Sequence, residues 1–489
     1  MKKIFIYISL LVFLFVATSC NGGGNKNKEY NKLKVLSIND LHGAIDQNDD
    51  NYGMSGISWY VNEQRKVEGQ AVLVLAAGDM FQGSAISNYY YGQTVVELMN
   101  DVKFDAMTIG NHEFDWGLEE VLKYVDGNED NYEANFPFLA CNLLEKETNE
   151  LPDLIDPYTI VDFEQFQVGI IGYIGVGIET DISASKVEDY YFADPVPYIS
   201  NISKDLRENK GCDLIIVMGH DDNSTTQNQI AALSGSSSVD MIIAGHTHVT
   251  YTRYLTNGNG VEIPLTQAGT AADALTDTSF LYNKEDNTFG EGYADTVDLC
   301  DYEIGIDEAI QNKVDQMNDK IEPVMGEVLG IASKNVNRSS VGNWTADAIL
   351  ASIDCDIAAI NSGGIRSSAF PINEGYSVTV KKIYEVMPFD NFIKVCDLTG
   401  SQLINIFKRI QDIHISSNLV IDGNSYYLNG ALIENDKVYR FACVDYLYDR
   451  DAEIYECGTN VEFTGILVRD IMINTLKLET SNGKKWLED

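Results

Sequence analysis

The sequence predicts a two-part α/β protein: an N-terminal layered domain of alternating strands and helices, a connecting helix, and a second domain of α+β type. Three observations carry this. Between residue 33 and about 250, short apolar runs alternate with periodic polar and apolar stretches, the pattern of strands followed by helices. An acidic, lightly apolar stretch follows, 301–322, in which Ile304, Ile306, Ala309, Ile310, Val314 and Met317 keep helical spacing. Finally, the chain has 489 residues, more than the roughly 250–300 at which one hydrophobic core stops growing.

The first segment is not part of that fold. Met1-Lys2-Lys3 precedes an apolar run, 4–17, that is short for a membrane span and reads as an export signal. Val16-Ala17-Thr18-Ser19-Cys20 resembles the lipobox of bacterial lipoproteins, with Ala17 where that pattern prefers leucine. The expectation is cleavage before Cys20, lipidation of its thiol, and a flexible tether over 21–30 with little to bury. The chain would then be an exported lipoprotein at the outer membrane or a periplasm-facing membrane surface, or at the cell surface. The soluble domains are expected at 31–300 and 326–489, joined by a helix over 301–325.

In the first domain strands are expected at 33–38, 71–76, 104–109, 168–173, 214–218 and 241–244, and helices at 57–67, 94–99 and 118–125. In the second, a helix is expected at 341–353 and strands at 357–360, 378–380 and 392–396, around a core of its own.

Composition narrows the function. With 34 Lys+Arg against 74 Asp+Glu the net charge is -40, so the average surface repels nucleic acid polymers and anionic headgroups. Beyond Cys20, the remaining cysteines, at 141, 212, 300, 355, 396, 443 and 457, contain no CxxC pair, which speaks against a thiolate zinc knot. Their odd number excludes complete pairing, although Cys443 and Cys457 could join across a turn.

The histidines are more informative. Of six, five (His42, His112, His220, His246 and His248) sit in polar tips that follow predicted strands, and only His414 lies elsewhere. Loops at strand carboxyl ends are where layered α/β folds gather their chemistry. A single histidine is usually structural or solvated; five gathered at such tips, with Asp40, Asp79 and Asn111, read as a metal centre. Mixed imidazole and carboxylate donors suit a borderline transition metal better than calcium. Two-residue spacing lets Asp40 and His42 face one ion if their backbone stays extended. One ion is assigned to Asp40, His42, Asp79 and His248, the second to Asp79, Asn111, His220 and His246, with Asp79 between them.

These tips form an ordered set: Asp40-Leu41-His42-Gly43, Gly78-Asp79-Met80-Phe81-Gln82-Gly83-Ser84, Gly110-Asn111-His112-Glu113-Phe114-Asp115, Gly219-His220 and Gly245-His246-Thr247-His248. The set resembles that of calcineurin-like dinuclear metallophosphoesterases. The second half adds Gly342-Asn343-Trp344-Thr345-Ala346-Asp347-Ala348, Asn361-Ser362-Gly363-Gly364-Ile365-Arg366, Val386-Met387-Pro388-Phe389-Asp390-Asn391 and Leu398-Thr399-Gly400, which makes the whole similar to bacterial 5'-nucleotidases. The resemblance implies a four-layered α/β/β/α metallophosphoesterase domain and a C-terminal α+β domain that sets nucleotide specificity. It also implies two divalent cations (Zn, Mn or Co), a nucleotide substrate, and phosphoryl transfer directly to a water held between the ions. Ser84 is then a turn or helix-start residue, not a phosphoryl carrier.

By the same resemblance His112 is the catalytic acid, oriented by Asp115, while Asn361, Arg366 and Phe389 hold the nucleotide and Tyr446 matches a second aromatic beside the base. The chain departs from the family at Tyr448-Asp449-Arg450-Asp451-Ala452-Glu453, where relatives carry a glycine-rich segment, and Arg338 does not align clearly with a second family arginine. Three alternatives stand beside a 5'-nucleotidase: a 2',3'-cyclic-nucleotide phosphodiesterase with 3'-nucleotidase activity, a UDP-sugar hydrolase, and a surface protein that binds nucleotides without turnover.

Overall fold

The computed structural model describes residues 29–48, 51–128, 132–301 and 303–488. The predicted signal segment and Cys20 lie outside them. Among the described residues no helix is long and apolar enough to cross a membrane.

Two sheets form the centre of the first domain. One carries the parallel strands Lys32–Ile38, Gln70–Ala76, Ala106–Thr108 and Phe138–Leu139, extended beyond Lys32–Ile38 by antiparallel Ala274–Asn283. The other aligns Gln167–Ile174, Leu214–His220, Met241–Ile243 and Glu262–Ala268 in parallel, between antiparallel edges Tyr158–Asp162 and Thr250–Thr256. Their central strands are nearly continuous runs of buried Val, Ile, Leu and Met, as strands covered on both faces must be. Leu33, Val35, Leu73 and Leu75 of one sheet meet Val168, Ile170, Ile216 and Met218 of the other. The outer faces are covered by Gly53–Arg65 and Gln93–Val102 on one side and by Pro195–Asp205 and Ser224–Ala231 on the other. The result is the four-layered α/β/β/α stack that the resemblance implied.

The connecting helix runs Glu308–Met325 and buries Ile310, Val314, Met317, Ile321 and Met325. It starts later than its apolar spacing suggested: the Asp307 side chain accepts from the amides of Ala309 and Ile310, so the cap leaves Ile304 and Ile306 outside the helix. Ser58 Oγ donates to Asp307 Oδ2 at 2.7 Å and Ser55 Oγ to Gln311 Oε1 at 2.9 Å, tying the connector to helix Gly53–Arg65.

The second domain is built on a five-stranded sheet in the order Ile413–Ile415, Ile357–Asn361, Val438–Val444, Phe392–Thr399, Thr459–Leu467. Helices Arg338–Ser352 and Val468–Ser481 pack together, with Trp344 edge-on to Trp486 at 5.6 Å. The first of these begins before residue 341 because Asn337 and Ser340 form a capping box. The sequence suggested a separate core here. Instead, buried residues from Leu36 and Val96 through Val314 and Met317 to Ile357 and Phe441 make one continuous cluster, because the connecting helix buries its apolar stripe between the two domains.

Candidate metal centre and the cleft beside it

The parallel strands of both sheets deliver their polar tips to one edge. Asp40 and His42 follow Lys32–Ile38, Asp79 follows Gln70–Ala76, Asn111 and His112 follow Ala106–Thr108, His220 ends its strand, and His246 and His248 follow Met241–Ile243. Three overlapping sets of donor atoms result, each within 4.8 Å: Asp40, His42 and His248; His42, Asp79 and His112; Asp79, His220 and His246. This is a dinuclear arrangement of His and Asp donors, with Asp79 and His42 shared between sets.

The backbone that produces it differs from the expectation of extended tips. Asp40, His42, Asp79, His246 and His248 all have positive φ, between 49° and 81°. Left-handed conformations are uncommon for residues with a side chain and concentrate at functional sites. The surroundings enforce them. Glu113, fully buried, accepts hydrogen bonds from the amides of Asp79 (2.9 Å), Met80 (2.9 Å) and Gly110 (2.7 Å), clamping the second and third tips together. Burial pushes its carboxyl up to about 7. Two glycines allow the tips to approach: a Cβ on Gly110 would stand 2.3 Å from Asp79 Oδ1, and one on Gly78 2.6 Å from His220 Nδ1.

The donor atoms face inward. His220 Nδ1 donates to Ala77 O at 2.8 Å, which turns Nε2 inward, 3.0 Å from Asp79 Oδ2 and 3.1 Å from Asn111 Oδ1. Asn111 Oδ1 also lies 3.0 Å from His246 Nδ1. On the other side His42 Nδ1 donates to Gln82 O at 2.9 Å, and Asp40 Oδ1, buried and accepting no hydrogen bond, faces His248 Nε2 at 3.4 Å. An orphaned carboxylate oxygen among imidazole lone pairs is what a cation would satisfy, so these residues fit a pair of divalent ions.

The electrostatics agree. Burial opposes charge on Asp79, but His220 and His112 outweigh it and hold the carboxyl well below the usual range. Burial likewise opposes the His220 imidazolium, yet Asp79 and Asp40 push it up to about 10. Both shifts mark where the fold concentrates negative potential, the place a cation would be held. His42 is the exception: burial and neighbouring His112 lower it to about 3, which leaves it neutral.

His112 Nδ1 meets Asp115 Oδ2 at 2.7 Å across one short helical turn. Burial works against the His112 imidazolium, while Asp115 and Asp79 together push it up to about 9. The dyad opens onto a cleft between the domains, with about 670 Å³ of empty space including its mouth. Asn361, Phe389 and Tyr446 line it from the second domain. Phe389 stacks on His112 at 6.0 Å and 24°, and the Arg366 guanidinium lies 4.7 Å from the Phe389 ring centre. Asn361 Oδ1 is buried without a hydrogen-bond partner. Arg366 also borders a second cavity, beyond His42 and His248, with Ser84 and Thr270. Ser84 itself caps helix Ala85–Tyr89.

Some cleft residues gave no signal in the sequence. Asp181, Ser183 and Lys186 belong to a loop and short helix without motif or periodicity, yet line the cleft, and Asp181 Oδ2 lies 3.4 Å from His246 Nε2. Glu113 was visible inside its motif but had no role attached. Arg338 points to backbone, donating from Nε to Ile365 O at 2.7 Å and from Nη2 to Ser362 O at 2.5 Å. The seven described cysteines are all free thiols, and Cys443 is buried.

Comparison with known proteins follows the same division. Residues 33–250 match the family model of calcineurin-like phosphoesterases, and residues 319–418 that of the 5'-nucleotidase C-terminal domain. The chain thus carries, in order, a match to the calcineurin-like phosphoesterase model and a match to the 5'-nucleotidase C-terminal model. Among similar proteins, endonuclease YhcR of Bacillus subtilis is 27% identical over 81% of this chain, which spans only 34% of that protein. A 5'-nucleotidase of Vibrio parahaemolyticus is 25% identical over 83% of this chain and 79% of its own length. The structure of a 5'-nucleotidase precursor from Thermus thermophilus superposes with a TM-score of 0.72 at 21% identity, over 91% of this chain and 96% of that one, and so shares the fold. All five tips of the metal centre fall within the phosphoesterase match, while Asn361, Arg366 and Phe389 fall within the C-terminal match.

Proposed function

We propose that this chain hydrolyses nucleoside 5'-monophosphates to nucleoside and phosphate, with Asp40, His42, Asp79 and His248 holding one divalent cation and Asp79, Asn111, His220 and His246 the other. The observation that supports this most is the placement of the His112–Asp115 pair between the donor clusters and a cleft walled by Phe389, Tyr446 and Asn361.

Bound cations would neutralise phosphate oxygens and lower the pKa of water. The protein's own groups do the rest. Asp115 holds His112 with its Nδ1–H directed at the carboxylate, so that Nε2 carries the proton for the departing 5'-oxygen. Arg366 offers a guanidinium fork to a phosphate oxygen. Phe389 and Tyr446 flank the base, and the unpartnered Asn361 Oδ1 accepts from an N–H on its edge.

Phosphate release from AMP, 2',3'-cyclic AMP and UDP-glucose, measured side by side with Mn, Co and Zn, tests the reading. Fastest turnover of AMP is expected. The second cavity beyond His42 and His248 is the feature that favours a diester or sugar-nucleotide alternative, since it gives room to a second substituent on phosphorus; preference for either of those substrates would replace the monophosphate reading. Tight AMP binding with no release in any metal would leave a binding protein.

The same reading places the enzyme outside the cytoplasmic membrane, tethered through a lipid on Cys20. Intact mass of the membrane-fraction protein, with and without Cys20→Ser, checks that step.

A further inference from the structure

His414 is the one histidine outside the metal cluster, and at 9% exposure it is more buried than any of those within except His220. Its Nε2 lies 3.0 Å from Ser362 Oγ and its Nδ1 3.2 Å from Asn343 Oδ1. Asn343 Oδ1 is an acceptor, so Nδ1 carries the hydrogen and Nε2 accepts from the Ser362 hydroxyl. Burial lowers the ring's pKa and keeps it neutral, as this pattern requires.

A serine, histidine and asparagine in one hydrogen-bonded line also describes an activated nucleophile. The surroundings exclude that role. Ser362 is only 7% exposed, and the cleft is lined by its neighbours Asn361, Gly363 and Gly364 but not by Ser362 itself. The carbonyls of Ser362 and Ile365 are both occupied by Arg338. What the line does is fasten a loop. Arg338 and Asn343 stand on the same helix, Arg338–Ser352, and that helix approaches the His414 ring so closely that a Cβ on Gly342 would fall 2.2 Å from it. Loop 361–366 is thus fastened through Arg338 on its carbonyls and through His414, on strand Ile413–Ile415, on its hydroxyl, beside backbone bonds from Ser362 N to Asp412 O and from Arg366 N to Val386 O.

We infer that His414 is a positioning residue for the nucleoside: by pinning Ser362 it sets the pose of the Asn361 amide beside it, while Arg366, held by its own amide on Val386 O, keeps its place at the phosphate. This rests on the nucleotide reading of the cleft. It touches neither the ions nor the reacting atoms, so its removal should weaken capture of the nucleoside while leaving chemistry on phosphate intact.

The test uses the full chain loaded with Mn and two substrates, AMP and p-nitrophenyl phosphate, which has no base or ribose. For His414→Ala the KM for AMP should rise about tenfold with kcat within about twofold, and kcat/KM for p-nitrophenyl phosphate should not change. His414→Gln, which keeps a donor and an acceptor, should recover most of the loss. Ser362→Ala should match His414→Ala, and the double variant should be no worse than either, since both remove one link. An unchanged KM for AMP, or equal losses on both substrates, would overturn the assignment. Amide exchange over 361–366 supplies a readout independent of turnover: it should quicken in His414→Ala, or in a folded Ser362→Ala where His414→Ala does not fold, and unaltered exchange would also overturn the pin. If the unmodified enzyme releases no phosphate from AMP, the nucleotide reading fails on its own, and the exchange measurement still decides whether His414 fastens the loop.

Discussion

The Nε2 atoms of His42 and His248 lie 3.0 Å apart. His42 is neutral, because burial and the charge of His112 hold its pKa at about 3, and its Nδ1 hydrogen is spent on Gln82 O. Its Nε2 is therefore a lone pair aimed at a second imidazole nitrogen, with the orphaned Asp40 Oδ1 beside them. One proton can relieve one such contact; a divalent cation relieves all of them at once.

His248→Ala should accordingly lose one ion and keep the other. Elemental analysis should fall from two metals per chain to one, with phosphatase activity lower by at least about 100-fold, since even outer residues of metal sites cost up to that much. Retention of both ions would show that His248 is not a ligand.

Gly110→Ala separates packing from ligation. The new methyl would stand 2.3 Å from Asp79 Oδ1 and 2.6 Å from its amide, so Asp79 must swing away from the cluster. Metal content and activity should both collapse. Thermal unfolding of the metal-free protein should fall as well, by about the 1–3 kcal/mol that overpacking costs, because the Asp79 amide is backbone and must shift with the carboxylate.

Asp105 predicts a pH effect that involves none of the donor residues. Burial pushes its carboxyl up to about 6, only partly offset by the Val74 amide and Arg65. The folded state then binds this proton more tightly than the unfolded chain, whose aspartates titrate near 3.9. Stability from this group is complete below about pH 4 and is lost as pH rises through about 6. Asp105→Asn keeps an oxygen for the Val74 amide and removes the titration. Its urea midpoint, compared with the unmodified protein, should improve progressively from pH 4.5 to pH 7; a constant difference would contradict the assignment.

How much of this was legible in the sequence depends on what each residue reports. Histidine is rare here, so five of six at strand ends marked the donor cluster in the sequence alone. The order of strands and helices followed from apolar runs and their period. The left-handed backbone of Asp40, His42, Asp79, His246 and His248 was not visible, because it is imposed by neighbours distant in sequence: Glu113 on three amides, and glycines that admit close approach. Asp181 and Lys186 were invisible for a related reason. A loop residue that reaches a cleft does so through tertiary placement, and neither spacing nor periodicity records it. Helix starts shifted where caps outweighed apolar spacing, at Asp307 and Asn337. Arg338, which does not align clearly with a second family arginine, commits its guanidinium to loop carbonyls.

Phe389 offers a separation between capture and chemistry. Its ring leans on His112 and carries the Arg366 guanidinium, so on the proposed function it would belong at once to the base wall and to the catalytic corner. If base stacking is its main work, Phe389→Ala should raise KM for AMP by about tenfold or more, the equivalent of the roughly 1–3 kcal/mol that stacking on an aromatic supplies. The kcat for AMP should hold, because Asp115 orients His112 through a 2.7 Å hydrogen bond that does not involve the ring. If instead the ring's contact with His112 is what matters, kcat should fall for AMP and p-nitrophenyl phosphate alike, with KM little altered. Phe389→Leu distinguishes the two further: it retains apolar contact with His112 but presents no π face, so a loss confined to KM in that variant identifies stacking.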